Sequence, residues 1–319
     1  PIFREINRQI SGRKVDLIIG GPPCQAYSLV GRARSENNMT NDPRNFLFRE
    51  YAKFLVVYQP RLFVFENVLG LHSANAGKYL SDMKALFKSK GYDTKLYTVE
   101  ANNFGVLQHR KRIILLGKHN SQKFDFPDLE NIRISHGKTV AELLTDLPLL
   151  QAGEITNRAQ KYRTGTTAYL KRTGIRNGLS FVVQHSVRPH TKQDKEIYRR
   201  AVEKWQAGKI RLNYNELPER LKTHNNRDSF TDRFKVVADN EPFAHTVVAH
   251  IAKDGHYYIH PDIKQNRSIS VREAARLQSF PDDYYFEGIK EGMQRTAAFK
   301  QIGNAVPPLM AEIIARTLK

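Results

Sequence analysis

Cysteine is nearly absent from this chain of 319 residues, which contains one, Cys24. A single cysteine excludes an internal disulfide framework and a cysteine-rich zinc site. Cys24 is therefore either a small buried side chain or a reactive thiol, and composition alone leaves both interpretations open.

Long apolar runs are absent as well. None approaches the ~18 residues of a membrane span, and the first residues, Pro1 to Glu5, lack the apolar core of a signal peptide. Hydrophobic residues still make up 40% of the chain, enough for a sizeable core. We therefore expect an intracellular protein that is neither secreted nor associated with a membrane.

Acidic residues are few beside basic ones, with 32 Asp and Glu against 51 Lys and Arg and a net charge of +19. The excess is uneven, because residues 151–222 alone contain 16 basic and 6 acidic residues, a net charge of +10. A charged stretch can be a solvated face. One this long and this basic favours a surface that binds a polyanion, above all nucleic acid.

The first part of the chain alternates strand-like and helix-like segments. Apolar or alternating runs predict strands at residues 15–20, 62–65, 92–99 and 112–117, and helical periodicity predicts helices at 45–58 and 79–90. Repeated β-α-β units predict a parallel sheet covered on both faces, with ligands at the carboxyl ends of the strands.

The alternation weakens after residue 150. Residues 151–240 are polar, basic and irregular, with one clear helix at 192–206, and helical patterns return at 272–278 and 303–319. We therefore predict two domains. Residues 1–150 and 296–319 form the α/β domain, and residues 151–295 form a second, smaller basic domain.

A cysteine loop follows the first predicted strand, with the sequence Gly20-Gly21-Pro22-Pro23-Cys24-Gln25. Glycine gives such a loop conformational freedom and proline stiffens it. A thiol at the carboxyl end of a strand is a candidate nucleophile. The alternative is a cysteine packed beside a tight turn.

Polar groups also lie at the ends of two other predicted strands. Glu66 ends the second strand, where a partly desolvated carboxyl group could act as an acid, although such residues are often helix caps. Arg110 and Arg112 enter the strand at 112–117, and in an extended chain they point to the same side. Paired guanidinium groups suit a carboxylate, a carbonyl or a phosphate, or form an exposed basic edge.

Together these segments resemble the DNA (cytosine-5)-methyltransferases of prokaryotic restriction-modification systems. The ordered matches are GGPPCQ, DPRNFLF, FENV, QHRKR, RSISVREAARLQSFPD and GNAVPP. The resemblance implies an α/β, Rossmann-like, S-adenosylmethionine-dependent methyltransferase sheet and a second, smaller basic target-recognition domain over residues 151–295. It also implies a location in the cytoplasm of a prokaryotic cell, or wherever DNA is accessible.

The resemblance further implies a reaction on double-stranded DNA. Cys24 would add as a thiolate to carbon 6 of a flipped-out cytosine, and Glu66 would donate a hydrogen bond or proton to ring nitrogen 3. Arg112 would hold the base carbonyl, and Arg110 would steady Glu66 or the backbone nearby. The methyl group would pass from S-adenosyl-L-methionine to carbon 5, leaving S-adenosyl-L-homocysteine, with no metal involved.

Cofactor contacts are implied for Pro23, Leu47, Asn304 and Val306. The strand and glycine-rich cofactor loop with which the family begins do not precede Gly20. We expect those residues either to be missing from this sequence or to come from a second chain; the protein would otherwise be a monomer. Two alternatives remain: a tRNA cytosine-5 methyltransferase of the same fold, and a non-catalytic DNA-binding subunit of a split enzyme.

Overall fold

A computed structural model describes residues 2–23, 27, 42–155, 158–228, 230–289 and 294–319. Contacts divide the chain into two compact units: unit 1 comprises residues 1–100 and 111–132, and unit 2 comprises residues 101–110 and 133–319. The two units are defined by their internal contacts and do not correspond to the predicted functional domains by definition. The predicted boundaries of the catalytic and target-recognition domains therefore remain a prediction.

Unit 1 follows the predicted alternation of strands and helices. Its elements are α1 (Ile2–Ile10), β1 (Leu17–Gly20), α2 (Leu47–Tyr58), β2 (Leu62–Asn67), α3 (Lys78–Ser89), β3 (Tyr92–Glu100) and β4 (Lys111–His119). The sequence did not predict α1. Helix α2 ends where Gln59 takes a left-handed conformation before Pro60, and Gly91, at φ +85°, turns the chain from α3 into β3.

In unit 1, the strands formed by the described residues lie in the order β1-β2-β4-β3. Strands β1 and β2 are parallel, but β4 runs antiparallel to both of its neighbours, so the prediction of a parallel sheet was wrong. The reason lies in the link between β3 and β4. Residues 101–110 form only a 3-10 turn, Ala101–Asn103, and a parallel crossover needs about a dozen residues or more, usually including a helix.

An aromatic core fixes the sheet of unit 1. The Tyr51 ring of α2 packs edge-on against Phe65 at 5.2 Å between centroids, and its hydroxyl donates to the Ile18 carbonyl oxygen at 3.1 Å. A Cβ at Gly117 would lie 2.0 Å from the Phe63 ring, so only glycine permits this packing. The carboxyl ends of β1 and β2 are thereby held side by side.

Unit 2 is more irregular. Its strands and α-helices are β5 (Gln160–Lys161), α4 (Ala168–Arg172), β6 (Phe181–Val182), α5 (Lys192–Gly208), α6 (Val271–Leu277), α7 (Arg295–Asn304) and α8 (Pro308–Arg316). Helices α5 and α6 confirm the helices predicted at 192–206 and 272–278. The single helix predicted at 303–319 was wrong. Gly303 and Asn304 end α7, and Pro308 starts α8 because proline fits the first turn of a helix.

Helix α6 is buried along its whole length although it carries three charged side chains. Arg276 pairs with Asp146 at 2.5 Å and with Asp282 at 2.6 Å, and all three side chains are fully buried. Glu273 pairs with Arg267 at 2.7 Å and also closes the helix cap by accepting from the backbone N–H of Ser270. These two sets of ion pairs form a polar frame inside unit 2.

Candidate functional site

Glu66 and Arg112 form an ion pair within unit 1. Arg112 Nε lies 2.8 Å from Glu66 Oε1, and the two side chains are 11% and 20% exposed. The sheet creates this pair, because the end of β2 meets the beginning of the antiparallel strand β4. A guanidinium at this distance favours the ionised form of the carboxylate.

The loop that leads to Cys24 runs against Glu66. A Cβ built on Gly21 would lie 3.0 Å from Glu66 Oε2, and the Asn67 side-chain amide donates to the Pro22 carbonyl oxygen at 3.4 Å. Cys24 itself lies outside the described residues.

Arg110 occupies a different environment, fully buried in unit 2. Its guanidinium donates to the carbonyl oxygens of Val247 at 2.6 Å, Gly303 at 2.9 Å and Ala305 at 2.7 Å. These bonds give Arg110 a role in holding the backbone around Asn304. Its expected role in steadying Glu66 remains a prediction.

Gln108 is a structural residue that the sequence analysis missed. Its side chain is fully buried, donates to the Leu277 carbonyl oxygen at 2.7 Å and accepts from the Val247 N–H at 2.9 Å. The neighbouring Gln278 donates to the Ile302 carbonyl oxygen at 2.8 Å. The sequence could have indicated this role. Gln108 precedes Arg110 by two residues, and alternate residues of an extended segment lie on the same side.

The segment predicted to hold the cofactor in unit 2 links α7 to α8. Asn304 is exposed and Val306 is half-buried, and the intervening Ala305 is extended. A Cβ at Gly303 would fall 2.2 Å from the Ala249 backbone nitrogen, so the close approach here requires glycine. An exposed amide and an aliphatic side chain two residues apart fit a ligand with a heteroaromatic ring and polar edges.

The other two predicted cofactor residues belong to unit 1. Pro23 is exposed on the cysteine loop, and Leu47 is half-buried at the first position of α2. Both present apolar surface, which suits the face of an adenine ring. The contacts of all four residues with a cofactor remain predictions.

The basic stretch of unit 2 is partly neutralised by its own acids. Glu196 on α5 pairs with Arg200 at 3.1 Å and with Arg220 at 2.5 Å, and the hydrogen bond from Arg220 lowers the pKa of Glu196 to about 2. Lys171 and Arg172 are exposed at the end of α4. Exposed cations of this kind suit contacts with phosphate groups.

Among the residues that the structure describes, no helix combines the length and the apolar character of a membrane span. No group of three or more His, Cys, Asp or Glu side chains among them could hold a metal ion.

The chain is similar to known proteins of one family. The family model for "C-5 cytosine-specific DNA methylase" matches residues 3–319. The Type II methyltransferase M.Bpa9945I of Bacillus paralicheniformis is 44% identical over 96% of this chain and 70% of its own length. The Type II methyltransferase M1.HphI of Haemophilus parahaemolyticus is 32% identical over 98% of this chain and 70% of its own length.

Solved structures agree on the fold. A prophage-encoded E. coli protein, provisionally described as a DNA modification methyltransferase, matches with a TM-score of 0.72 and 24% identity over 99% of this chain and 82% of its own. The predicted fold, an α/β Rossmann-like methyltransferase sheet, is confirmed, whereas the second, target-recognition domain remains a prediction. The comparisons lend no support to a second chain that completes the cofactor site.

Proposed function

Since the chain belongs to the C-5 cytosine-specific DNA methylase family and is a DNA (cytosine-5)-methyltransferase, we propose that Cys24 is its nucleophile. The substrate is a cytosine turned out of a specific double-stranded DNA sequence, and the methyl donor is S-adenosylmethionine. One observation carries the proposal: the Glu66–Arg112 pair lies against the loop that leads to Cys24.

Glu66 and Arg112 activate the base together. Arg112 donates a hydrogen bond to the carbonyl oxygen of the cytosine, which loosens its hold on Glu66 and lets that carboxylate take up a proton. Glu66 then passes this proton to ring nitrogen 3 while the Cys24 thiolate forms a bond to carbon 6. The electron pair of the former double bond makes carbon 5 nucleophilic.

When bound, the cofactor supplies a methyl group on a positively charged sulfur, which carbon 5 can attack. Pro23, Leu47, Asn304 and Val306 are the residues that would hold it. After methylation, carbon 5 loses its proton to solvent and the Cys24 thiolate leaves carbon 6. Glu66 takes back the proton from ring nitrogen 3 and releases it to solvent as Arg112 pairs with it again, so the side chains return to their starting forms.

The basic stretch at 151–222 supplies the phosphate contacts in this proposal. Such contacts position a protein on DNA without reading its sequence, which requires contacts to base edges. We assign that reading to the predicted domain at 151–295. Because the relatives are named Type II methyltransferases, we propose that the chain works in a restriction-modification system.

The test is transfer of labelled methyl from S-adenosylmethionine to unmethylated duplex DNA and, in parallel, to tRNA. We expect label at carbon 5 of cytosine in DNA, and none with the Cys24→Ser variant, which should still bind DNA. Label in tRNA alone would establish the RNA alternative. Transfer to neither substrate, or normal turnover by Cys24→Ser, would refute the proposal.

A further inference from the structure

Unit 2 contains a pocket of about 480 Å³ whose lining includes neither Glu66 nor Arg112. Its volume lies within the range of roughly 300–1,000 Å³ that is usual for small-molecule sites. The lining is rich in flat rings, which come from His109, Trp205, Phe234, Phe243 and His245. The mechanism above uses none of these side chains.

The rings are held by their neighbours. His109 and Phe243 meet edge to face, with centroids 5.1 Å apart. The Trp205 indole N–H donates to Asn240 Oδ1 at 3.3 Å, and Phe234 is buried to 4% exposure. His109 is exposed, and Trp205 and Phe243 are half-buried, so their rings retain surface on which a planar ligand could stack.

Cations also line the pocket. Lys235 pairs with Asp232 at 2.6 Å, and the Arg211 side chain, 66% exposed, lies 3.8 Å from the same carboxylate. Two cations, Lys235 and Arg211, therefore share the single carboxylate of Asp232, which leaves a net positive charge on these three side chains. An aromatic pocket with cations in its lining matches the two parts of a nucleotide, the base and the phosphate.

Two acceptors complete the lining. The Glu241 carboxylate is one, and it also accepts from Lys209 at 2.5 Å. His245 is the other, because burial holds its pKa at about 4 and keeps the ring neutral. Its Nε2–H donates to the Tyr257 carbonyl oxygen at 2.5 Å, which leaves Nδ1 as the acceptor. Acceptors favour a base with an exocyclic amino group.

We propose that this pocket binds one nucleobase of the DNA other than the methylated cytosine and thereby helps to select the target sequence. The inference rests on the proposed function only in taking DNA as the substrate. The preferred bases are adenine, cytosine and guanine, whose amino groups can donate to Glu241 or His245.

Trp205 provides a direct test, since it is the only tryptophan of the chain. Its fluorescence would be recorded during titration with sonicated, unmethylated chromosomal DNA and, separately, with each deoxynucleoside monophosphate. We expect saturable quenching by DNA, because a base enters beside the indole ring. No quenching by DNA that binds in a gel-shift assay would overturn the proposal. Quenching by free nucleotides alone would replace it with a nucleotide site.

Substitution of Phe243 tests recognition. Phe243→Ala should shift the midpoint of quenching by roughly 5- to 150-fold, the usual effect of losing one stacked base. Phe243→Tyr, which keeps the ring, should behave like the wild type. Phe181→Ala is the matched control, because Phe181 is an aromatic residue of unit 2, 48% exposed, that does not line the pocket.

Mapping of methylated cytosines in the same DNA separates recognition from stability. Phe243→Ala should methylate additional sequence contexts, whereas Phe181→Ala and Phe243→Tyr should keep the original set. An unchanged set together with an unchanged midpoint in Phe243→Ala would refute the role of the pocket. Quenching does not depend on methyl transfer, so this failure is distinguishable from failure of the proposed function.

Discussion

Arg112 and Glu66 are neighbours in space, with 2.8 Å between Nε and Oε1, because β2 and β4 run in opposite directions. In a parallel arrangement the end of β2 would lie beside the end of β4, away from Arg112 at its start. The antiparallel pairing that contradicts the predicted sheet is therefore what forms the ion pair. In our proposal, an incoming base must share the guanidinium with the carboxylate.

Replacing Glu66 by glutamine should reduce the single-turnover rate of methyl transfer by roughly 10²- to 10⁴-fold, the usual contribution of a general acid. Glutamine keeps the shape of the side chain but cannot supply a proton. Glu50→Gln is the matched control, because Glu50 forms an exposed pair with Lys53 in the same unit. DNA affinity should stay unchanged in both variants. A full rate in Glu66→Gln would remove that residue from the mechanism.

Arg110→Lys should destabilise unit 2 and raise the KM for S-adenosylmethionine more than it lowers kcat. Lysine cannot reach the Val247, Gly303 and Ala305 carbonyl oxygens together, and each buried polar group left unpaired costs about 1–3 kcal/mol. Thermal unfolding and initial rates over a range of cofactor concentrations measure the two effects. The exposed Arg316→Lys should change neither. A KM equal to that of the wild type would show that Arg110 does not position Asn304.

Stability should fall as the pH falls from about 6.5 to about 4. Burial lowers the pKa of His185 to about 4, so in this interval the unfolded state binds a proton that the folded state does not. Protonation of His185 lowers the free energy of unfolding by up to about 3 kcal/mol over this interval, and the residue causes no further loss below its folded-state pKa. Denaturant unfolding at several pH values should give a shallower dependence for His185→Gln. The exposed His72→Gln should follow the wild type, and an equal slope in His185→Gln would contradict the assignment.

DNA binding should weaken steeply between ~50 and 200 mM salt, because phosphate contacts release counterions. Exposed Lys171 and Arg172 are candidates for such contacts. Changing both to glutamine should reduce the slope of log affinity against log salt by about 0.9 for each phosphate that is no longer neutralised. Lys88 and Lys90, exposed in unit 1, give the matched pair of control substitutions. A flat salt response in the wild type would exclude this surface from DNA binding.

Local elements were largely predictable, because apolar periodicity and the positions of proline and glycine report on a few neighbouring residues. The strands β1 to β4 and the helices α2, α3 and α5 follow these patterns. Strand direction was not predictable in the same way, since it depends on which strands pair. The short link at 101–110, which has no helical pattern, was the one local sign that β3 and β4 could form an antiparallel pair.

The candidate site was predictable as a set of residues but not as an arrangement. The motifs identified Glu66, Arg110 and Arg112, and extended geometry predicted that the two arginines share one side. Arg110 lies just before β4 begins, however, and its described hydrogen bonds go to carbonyl groups of unit 2. Such bonds join residues more than a hundred positions apart, beyond the reach of any pattern along the chain.

The link at 101–110 also limits how the protein can be dissected. It belongs to unit 2, although both strands that it joins belong to unit 1. A fragment of residues 133–319 would lack Gln108 and Arg110, and the backbone groups of Val247 and Leu277 that they hold would be left without those partners. Neither unit is a continuous stretch of sequence, so no single cut yields either of them whole. Folding studies will therefore have to follow the units within the uncut polypeptide.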